Sequence, residues 1–181
     1  MPRNSVTPTG KERFLAHDDI IVSKTDLKGH ITYANRIFLE IADYTEAEVV
    51  GQPHNLIRHP AMPRTVYHLL WEQIQAGREV FAYVMNLCKN GDHYWVFAHV
   101  TPSFGAHGEI IGYHSNRRAP DRPAITEVER LYGRLRRAEA SAPRPKEELV
   151  RGRAELDAAL EEVGLSYEQF CFSVWEGRAA A

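Results

Sequence analysis

One short segment holds most of the side chains that could do chemistry. Residues 52–63 contain three prolines together with His54, Arg58 and His59. Because proline has no backbone donor and biases the preceding residue away from helix, we predict an ordered irregular loop with at most one helical turn. A rigid loop suits the placement of binding groups. The same composition fits a proline-stiffened connector with solvated side chains equally well.

The amide of Asn86 is a second candidate. Residues 81–88 follow a period of two, in which the large side chains at 81, 83, 85 and 87 alternate with Ala82, Val84, Asn86 and Cys88. This period is typical of a strand and puts Asn86 on the same face as Ala82 and Val84. If that face is buried, an amide without partners costs about 1–3 kcal/mol. We therefore expect a backbone group or a polar ligand to satisfy Asn86.

Asn35 is a third candidate with two open interpretations. It follows a β-rich run at 30–34 and precedes helical spacing at 36–42. This position predicts an N-cap, in which the side chain accepts a hydrogen bond from the first helical turn. A cap with no further role and a ligand contact both remain open.

The elements that must position these residues follow from hydrophobic period and turn signals. Two β-rich runs at 20–25 and 30–34 predict a hairpin, and Asn90-Gly91 predicts a second one. Short helices should lie between the hairpins, and a last strand is predicted at 109–117. Because successive hairpins require antiparallel pairing, we predict an α+β fold: a five-stranded antiparallel sheet with short helices on one face. A pocket is expected between the two layers.

The chain divides by composition into three parts: an N-terminal arm at 1–17, the sheet domain at 18–120 and a helical extension at 121–181. We predict that the arm is loose and ends in a short helix. An apolar stripe in the extension comprises Ile125, Val128, Leu131, Tyr132 and Leu135. The extension helices are too short to be stable alone, so they must pack on the sheet domain, on each other or on a second subunit.

The totals exclude several classes of protein. A net charge of -2 without a basic run gives no support to nucleic-acid binding. No window is apolar enough to cross a bilayer and no signal-peptide pattern is present, so we expect a cytoplasmic protein without a membrane span. Cys88 and Cys171 lack CxxC spacing, which argues against zinc or a disulfide framework. No catalytic constellation or metal motif is visible, so we predict no enzyme activity.

The order of elements and four segments resemble the PAS domain of the aerotaxis-receptor subfamily. The similarity spans about residues 18–120. The segments that carry it are 25–27, 31–35, 51–60 and 89–96. The resemblance implies a PAS fold and a non-covalently held FAD whose redox state is read out as a signal.

Family cofactor positions map onto six residues of this chain. They are Asn35, Arg58, His59, Trp71, Asn86 and Trp95. Asn35 and Asn86 would serve the polar edge of the flavin ring. Arg58 would pair with pyrophosphate or with an anionic flavin, and Trp71 would stack on an aromatic face.

Two departures from the family pattern stand out. Ala61 replaces an aspartate that is common in the family, which removes a possible partner for Arg58 or His59. The receptors also continue into a membrane anchor and a signalling coiled coil that this sequence does not contain. The chain is therefore a fragment or a small free-standing sensor.

These observations lead to an FAD-binding redox or oxygen-status sensor without turnover. We expect a homodimer and a chemotaxis or kinase signalling partner. Two alternatives stay open: a haem-based gas sensor using His54, His59 or His68, and a cofactor-free dimerisation module. A blue-light adduct sensor is disfavoured because residues 52–63 contain no cysteine.

Overall fold

The computed structural model describes residues 6–177. Its five strands are β1 (Ile21–Thr25), β2 (Ile31–Ala34), β3 (Val80–Leu87), β4 (His93–Phe104) and β5 (Ile110–Arg118). They form one antiparallel sheet in the order β2-β1-β5-β4-β3. The predicted α+β architecture is therefore confirmed.

Helices cover both faces of the sheet. The helices are α1 (Arg36–Ala42), α2 (Glu46–Val49), α3 (Arg64–Gln75), α4 (Arg122–Ala140), α5 (Pro145–Val163) and α6 (Tyr167–Trp175), with a 3-10 turn at His54–Ile57. The first three helices and the turn lie on one face, as predicted. Among residues 6–177, no helix combines the length and hydropathy that a bilayer span requires.

Local capping explains where several helices begin. Asn35 Oδ1 accepts from the amide of Phe38 at 3.1 Å, so the predicted N-cap of α1 is confirmed. At α6, Ser166 Oγ accepts from the amide of Gln169, whose side chain accepts from the amide of Ser166. This reciprocal pair satisfies two backbone donors that the first helical turn leaves free.

The helices after the sheet pack on the sheet domain. All five residues of the predicted α4 stripe are buried. Tyr132 of α4 donates to the carbonyl of Tyr83 at 2.7 Å, and Phe97 stacks on Trp175 of α6 with ring centroids 4.8 Å apart. Of the three packing modes left open by the sequence, the structure shows packing on the sheet and between the helices.

The prediction of a loose N-terminal arm ending in a helix is wrong for the described part of the arm. Residues 6–16 form no helix and run along the turn between β3 and β4, where Arg13 N donates to His93 O at 2.7 Å. The carboxylate of Asp92 accepts from Thr9 Oγ1 at 2.7 Å and from Arg13 Nε at 3.1 Å. These polar contacts hold the arm in place despite its low hydrophobicity. The first five residues lie outside the described part.

Part of the free side of each outer strand is covered. Four contacts meet β3: the Cys171 thiol to the Phe81 carbonyl, Tyr132 to the Tyr83 carbonyl, the Met85 amide to Met62 sulfur, and a backbone bridge between Asn86 and Arg58. On β2, both backbone groups of Ile31 bond to Gly51 and Gln52, at 2.7 and 2.8 Å.

Candidate functional site

A cavity of about 340 Å³ lies between the sheet and α3. This volume falls at the lower end of the range for small-molecule sites. Its apolar lining comes from both layers and comprises Ile57, Leu70, Trp71, Ile74, Val84, Ala98 and Val100. A mostly apolar lining with a few polar groups is the usual composition of a ligand site.

Asn86 points into this cavity, on the same face of β3 as Val84. Its side chain is 3% exposed, and its Nδ2 has no hydrogen-bond partner. The backbone bridge to Arg58 brings the 52–63 loop beside it. Asn86 therefore faces inward, as strand parity predicts, and no group of residues 6–177 bonds to its Nδ2.

Arg117 forms the charged floor of the cavity. It is buried, and its Nη2 donates to Ser23 Oγ at 2.6 Å and to His54 Nε2 at 2.7 Å. Its Nη1 has no partner within the part of the chain that the structure describes. Burial lowers the pKa of this guanidinium below its usual value. The sequence analysis missed Arg117, although its position two and four residues after Ser115 and Tyr113 on one strand predicts the same inward face.

His54 lies beside Arg117 as a neutral imidazole. Burial lowers its pKa to about 3, and the positive charge of Arg117 adds to that effect. Because Arg117 donates to Nε2, that nitrogen carries the lone pair and the ring proton sits on Nδ1. Nε2 of His54 is therefore already engaged and is poorly placed to bind haem iron.

Three residues that line this cavity each carry a buried polar atom without a partner among the described residues. The atoms are Asn86 Nδ2, Ser115 Oγ and Arg117 Nη1. Leaving such an atom unsatisfied costs about 1–3 kcal/mol, and native proteins rarely gather several of them together. The arrangement suits a polar ligand edge that accepts two or three hydrogen bonds. The polar edge of a flavin ring, with its carbonyl oxygens and ring nitrogens, fits this set of donors.

Trp71 gives the cavity a flat aromatic wall. Its indole ring meets Tyr113 edge to face, with ring centroids 5.5 Å apart. Gly29 lies against the other end of the ring, and a Cβ at this position would be 3.0 Å from two indole carbons. Close packing on both sides holds the indole in one orientation, which a planar ligand needs for stacking.

The mouth of the cavity is positively charged. Arg58 is half-buried, its guanidinium lies 4.0 Å from the centroid of the Tyr67 ring, and burial lowers its pKa. Within residues 6–177 Arg58 forms no ion pair and the cavity is lined by no carboxylate. Lys28 and Arg64 also line it, with Arg64 paired to Glu148, and so do the imidazoles of His68 and His114, where burial lowers the pKa of His114. This distribution of charge favours an anionic ligand.

Three of the six predicted cofactor residues lie outside the lining: Asn35, His59 and Trp95. The Asn35 side chain caps α1 and also bonds the backbone of β1. His59 faces His93, with ring centroids 5.7 Å apart, and burial lowers its pKa to about 4. Trp95 lies on the opposite face of the sheet, near Tyr132 of α4. Arg58, Trp71 and Asn86 are brought together.

The remaining chemistry-bearing residues lie elsewhere. Cys88 and Cys171 are buried outside the lining, and burial raises the pKa of each thiol to about 12. His68 lines the cavity but is exposed. Among the residues that the structure describes, no group of three or more His, Cys, Asp or Glu side chains could hold a metal ion.

Comparison with protein families agrees with the observed fold. A family model described as PAS fold matches residues 31–117. The aerotaxis receptor of Escherichia coli K12 is 42% identical over 121 residues, which are 67% of this chain and 24% of the receptor. The nitrogen fixation regulatory protein of Klebsiella pneumoniae is 27% identical over 99 residues, 55% of this chain and 20% of that protein. The chain therefore spans about a quarter or less of the length of these relatives.

Solved structures give the same architecture. The dark structure of the blue-light photoreceptor Aureochrome1 LOV superposes with a TM-score of 0.56 at 18% identity, covering 61% of this chain and 82% of that one. A light-oxygen-voltage domain studied with a flavin analogue gives 0.55 at 16% identity, covering 61% and 83%. At these identities the likeness concerns the fold.

Proposed function

This chain belongs to the PAS-fold family, with a PAS domain like that of the aerotaxis receptor, and we propose on that premise that it is a flavin-binding redox sensor. The proposed cofactor is FAD, held without a covalent bond in the cavity between the sheet and α3. When bound, the flavin would supply a reversible redox centre. Signalling without catalytic turnover is the proposed output.

One observation carries the proposal: three residues of the same cavity lining, Asn86, Ser115 and Arg117, each carry a buried polar atom without a partner among the described residues. These side chains would hydrogen-bond the polar edge of the flavin, and Trp71 would flank its ring. Because Arg117 is positive and buried, it would stabilise negative charge that the ring gains on reduction. Reduction would thus strengthen one contact at the floor of the site.

The positive charge at the mouth of the cavity favours FAD, which carries phosphates, over a neutral ligand. Among the described residues Arg58 forms no ion pair, and Lys28 belongs to the same lining, so Arg58 would meet the phosphates of the cofactor. Asn35, His59 and Trp95 have no part in this proposal because they lie outside the lining.

The proposed context is cytoplasmic signalling. A change at the flavin would pass through the sheet and α3 to the helices after residue 118, and from there to a second copy of the chain or to a chemotaxis or kinase partner. The relatives support this proposal because they include the aerotaxis receptor and the blue-light-activated histidine kinase of Rhizobium johnstonii, 29% identical over 48% of this chain and 25% of the kinase.

The absorption spectrum of the purified protein tests the proposal. We expect the two-banded spectrum of an oxidised flavin, bleached by dithionite without oxygen, and mass spectrometry of the released cofactor should identify FAD rather than FMN. A protein that stays colourless after incubation with FAD contradicts the proposal, and a haem spectrum would support the gas-sensor alternative.

Two matched substitutions separate ligand binding from folding. Asn86→Leu removes the unpartnered amide, so it should weaken FAD binding at least tenfold and leave the ligand-free protein as stable or more stable. The control is Asn116→Leu. Asn116 lies on the face of β5 opposite the cavity, where its side-chain amide contacts His99. It should leave FAD binding unchanged. FAD titration and urea unfolding measure both effects, and equal losses of affinity in the two variants would refute the role of Asn86.

A further inference from the structure

One residue of the cavity lining comes from beyond the sheet domain. Leu149 of α5 lines the cavity, and its neighbour Glu148 pairs with Arg64 at the mouth. Resting on the flavin site proposed above, we propose that the α4–α5 hairpin completes that site. Docking of this hairpin on α3 and occupancy of the cavity by flavin then strengthen each other.

A buried carboxylate joins α4 to α3. Glu139 is 8% exposed and accepts from the amide of Thr65 at 2.8 Å, from its hydroxyl at 2.7 Å and from the amide of Arg64 at 3.1 Å. The N-cap of α3 is Pro63, whose side chain cannot accept a hydrogen bond. Two first-turn donors of α3, the amides of Arg64 and Thr65, are therefore satisfied by another helix.

Gly152 lets α5 approach the first turn of α3, where Thr65 and Glu139 meet. A Cβ at this position would overlap the Thr65 hydroxyl and would lie 3.0 Å from Glu139 Cγ. Glycine in a helix interior costs about 1 kcal/mol relative to alanine, so a packing reason is needed to explain it. The close approach of α5 to Thr65 and Glu139 is that reason.

This junction and the cavity share one helix. Thr65 sits in the first turn of α3, and Tyr67 and Trp71 on the same helix line the cavity. If the hairpin left α3, the cavity would lose Leu149 and α3 would lose its cap. Coupling between binding events is reciprocal, so flavin should hold the hairpin as strongly as the hairpin holds flavin.

The test compares two glycine substitutions of equal chemistry in the full chain. Gly152→Ala creates the overlap with Thr65, whereas Gly133→Ala in α4 puts a Cβ no closer than 3.5 Å to the Arg137 guanidinium. We expect Gly152→Ala to weaken FAD binding about fivefold or more, and Gly133→Ala to change it less than twofold. Hydrogen exchange of the α5 amides should slow when FAD is added to the wild-type protein.

A second variant keeps the test decisive if Thr65 rotates to accommodate the new methyl group. Leu149→Ala removes the contact of α5 with the cavity and should also weaken FAD binding. Suppose that the wild-type protein binds FAD. Then this inference alone is overturned if Gly152→Ala and Leu149→Ala both bind FAD as tightly as the wild type, or if FAD leaves hydrogen exchange of the α5 amides unchanged. A wild-type protein that binds no flavin overturns the proposed function as well.

Discussion

At the scale of single residues, the site is defined by a buried cation without a buried anion. Arg117 is held by Ser23 and His54, and its guanidinium lies 5.7 Å from the centroid of the Phe38 ring. This arrangement depends on a neutral imidazole, because a protonated His54 would face the guanidinium with a like charge at hydrogen-bond distance. The protonation state of His54 is therefore linked to the stability of the fold.

That linkage gives a pH dependence with a definite sign. The folded pKa of His54 is about 3 against 6.5 in the unfolded chain, so the unfolded state binds more protons between these values. The contribution of neutral His54 is complete above pH 6.5 and is lost as the pH falls toward 3. At pH 5 the loss is at most about 2 kcal/mol.

Urea unfolding at pH 7.5 and pH 5 measures this loss. His54→Gln should reduce the drop in unfolding free energy between the two pH values. His68→Gln is the control, because His68 is exposed at the cavity mouth. An undiminished drop in His54→Gln would contradict the linkage.

Half of the six residues predicted to bind the cofactor line one cavity in the structure. Strand parity brought Asn86 inward, and the loop and helix brought Arg58 and Trp71 to the same cavity. Trp95 follows the opposite parity of β4, on the face that meets α4. Arg117 was missed because a lone arginine at the end of a strand is usually solvated, and only the folded sheet shows that it is buried.

At the scale of elements, local sequence signals predicted the structure wherever the contacting residues are close together in the sequence. The cap at Asn35 and the hairpin at Asn90-Gly91 follow the sequence pattern closely. The placement of the N-terminal arm does not follow the sequence pattern, because its partner Asp92 lies about 80 residues away. The spacing of hydrophobic residues does not predict such a polar long-range contact. The capping of α3 by Glu139 is a long-range contact of the same kind.

The arm should come loose when Asp92 loses its charge. Hydrogen bonds from Thr9, Asn90 and Arg13 lower the pKa of Asp92 to about 2, so the carboxylate is ionised whenever the arm is bound near neutral pH. Asp92→Asn keeps the shape and weakens these bonds. We expect faster tryptic cleavage at Arg13 than in the wild-type protein.

The control for this change is Asp43→Asn. Asp43 lies 3.9 Å from Arg13 and its side chain is half exposed, so its removal should leave the cleavage rate nearly unchanged. Equal cleavage rates in wild type and Asp92→Asn would show that the arm is held by other contacts.

At the scale of the whole molecule, the sheet separates a ligand cavity from an aromatic layer. One face lines the cavity, while Phe97 on the other packs with Phe172 and Trp175 of α6. Both cysteines lie away from the cavity: Cys88 donates to the Ile41 carbonyl and Cys171 to the Phe81 carbonyl. Neither thiol can reach a ligand in the cavity without rearrangement of the fold.

The flavin-loaded protein should therefore form no cysteinyl adduct in blue light. Illumination should cause no loss of flavin absorption that recovers in darkness, and Cys88→Ala and Cys171→Ala should behave like the wild type. Absorption spectra recorded during illumination and dark recovery check this expectation. Reversible bleaching that disappears in either variant would contradict it.

The covered outer strands limit how this domain can meet other proteins. On β3 one outward backbone group of each of Phe81, Tyr83 and Met85 is bonded to a side chain, and on β2 those of Ile31 are bonded to a loop. An incoming peptide in extended form would therefore find part of each sheet border already occupied. We expect a partner to recognise side chains on the helices more than the borders of the sheet.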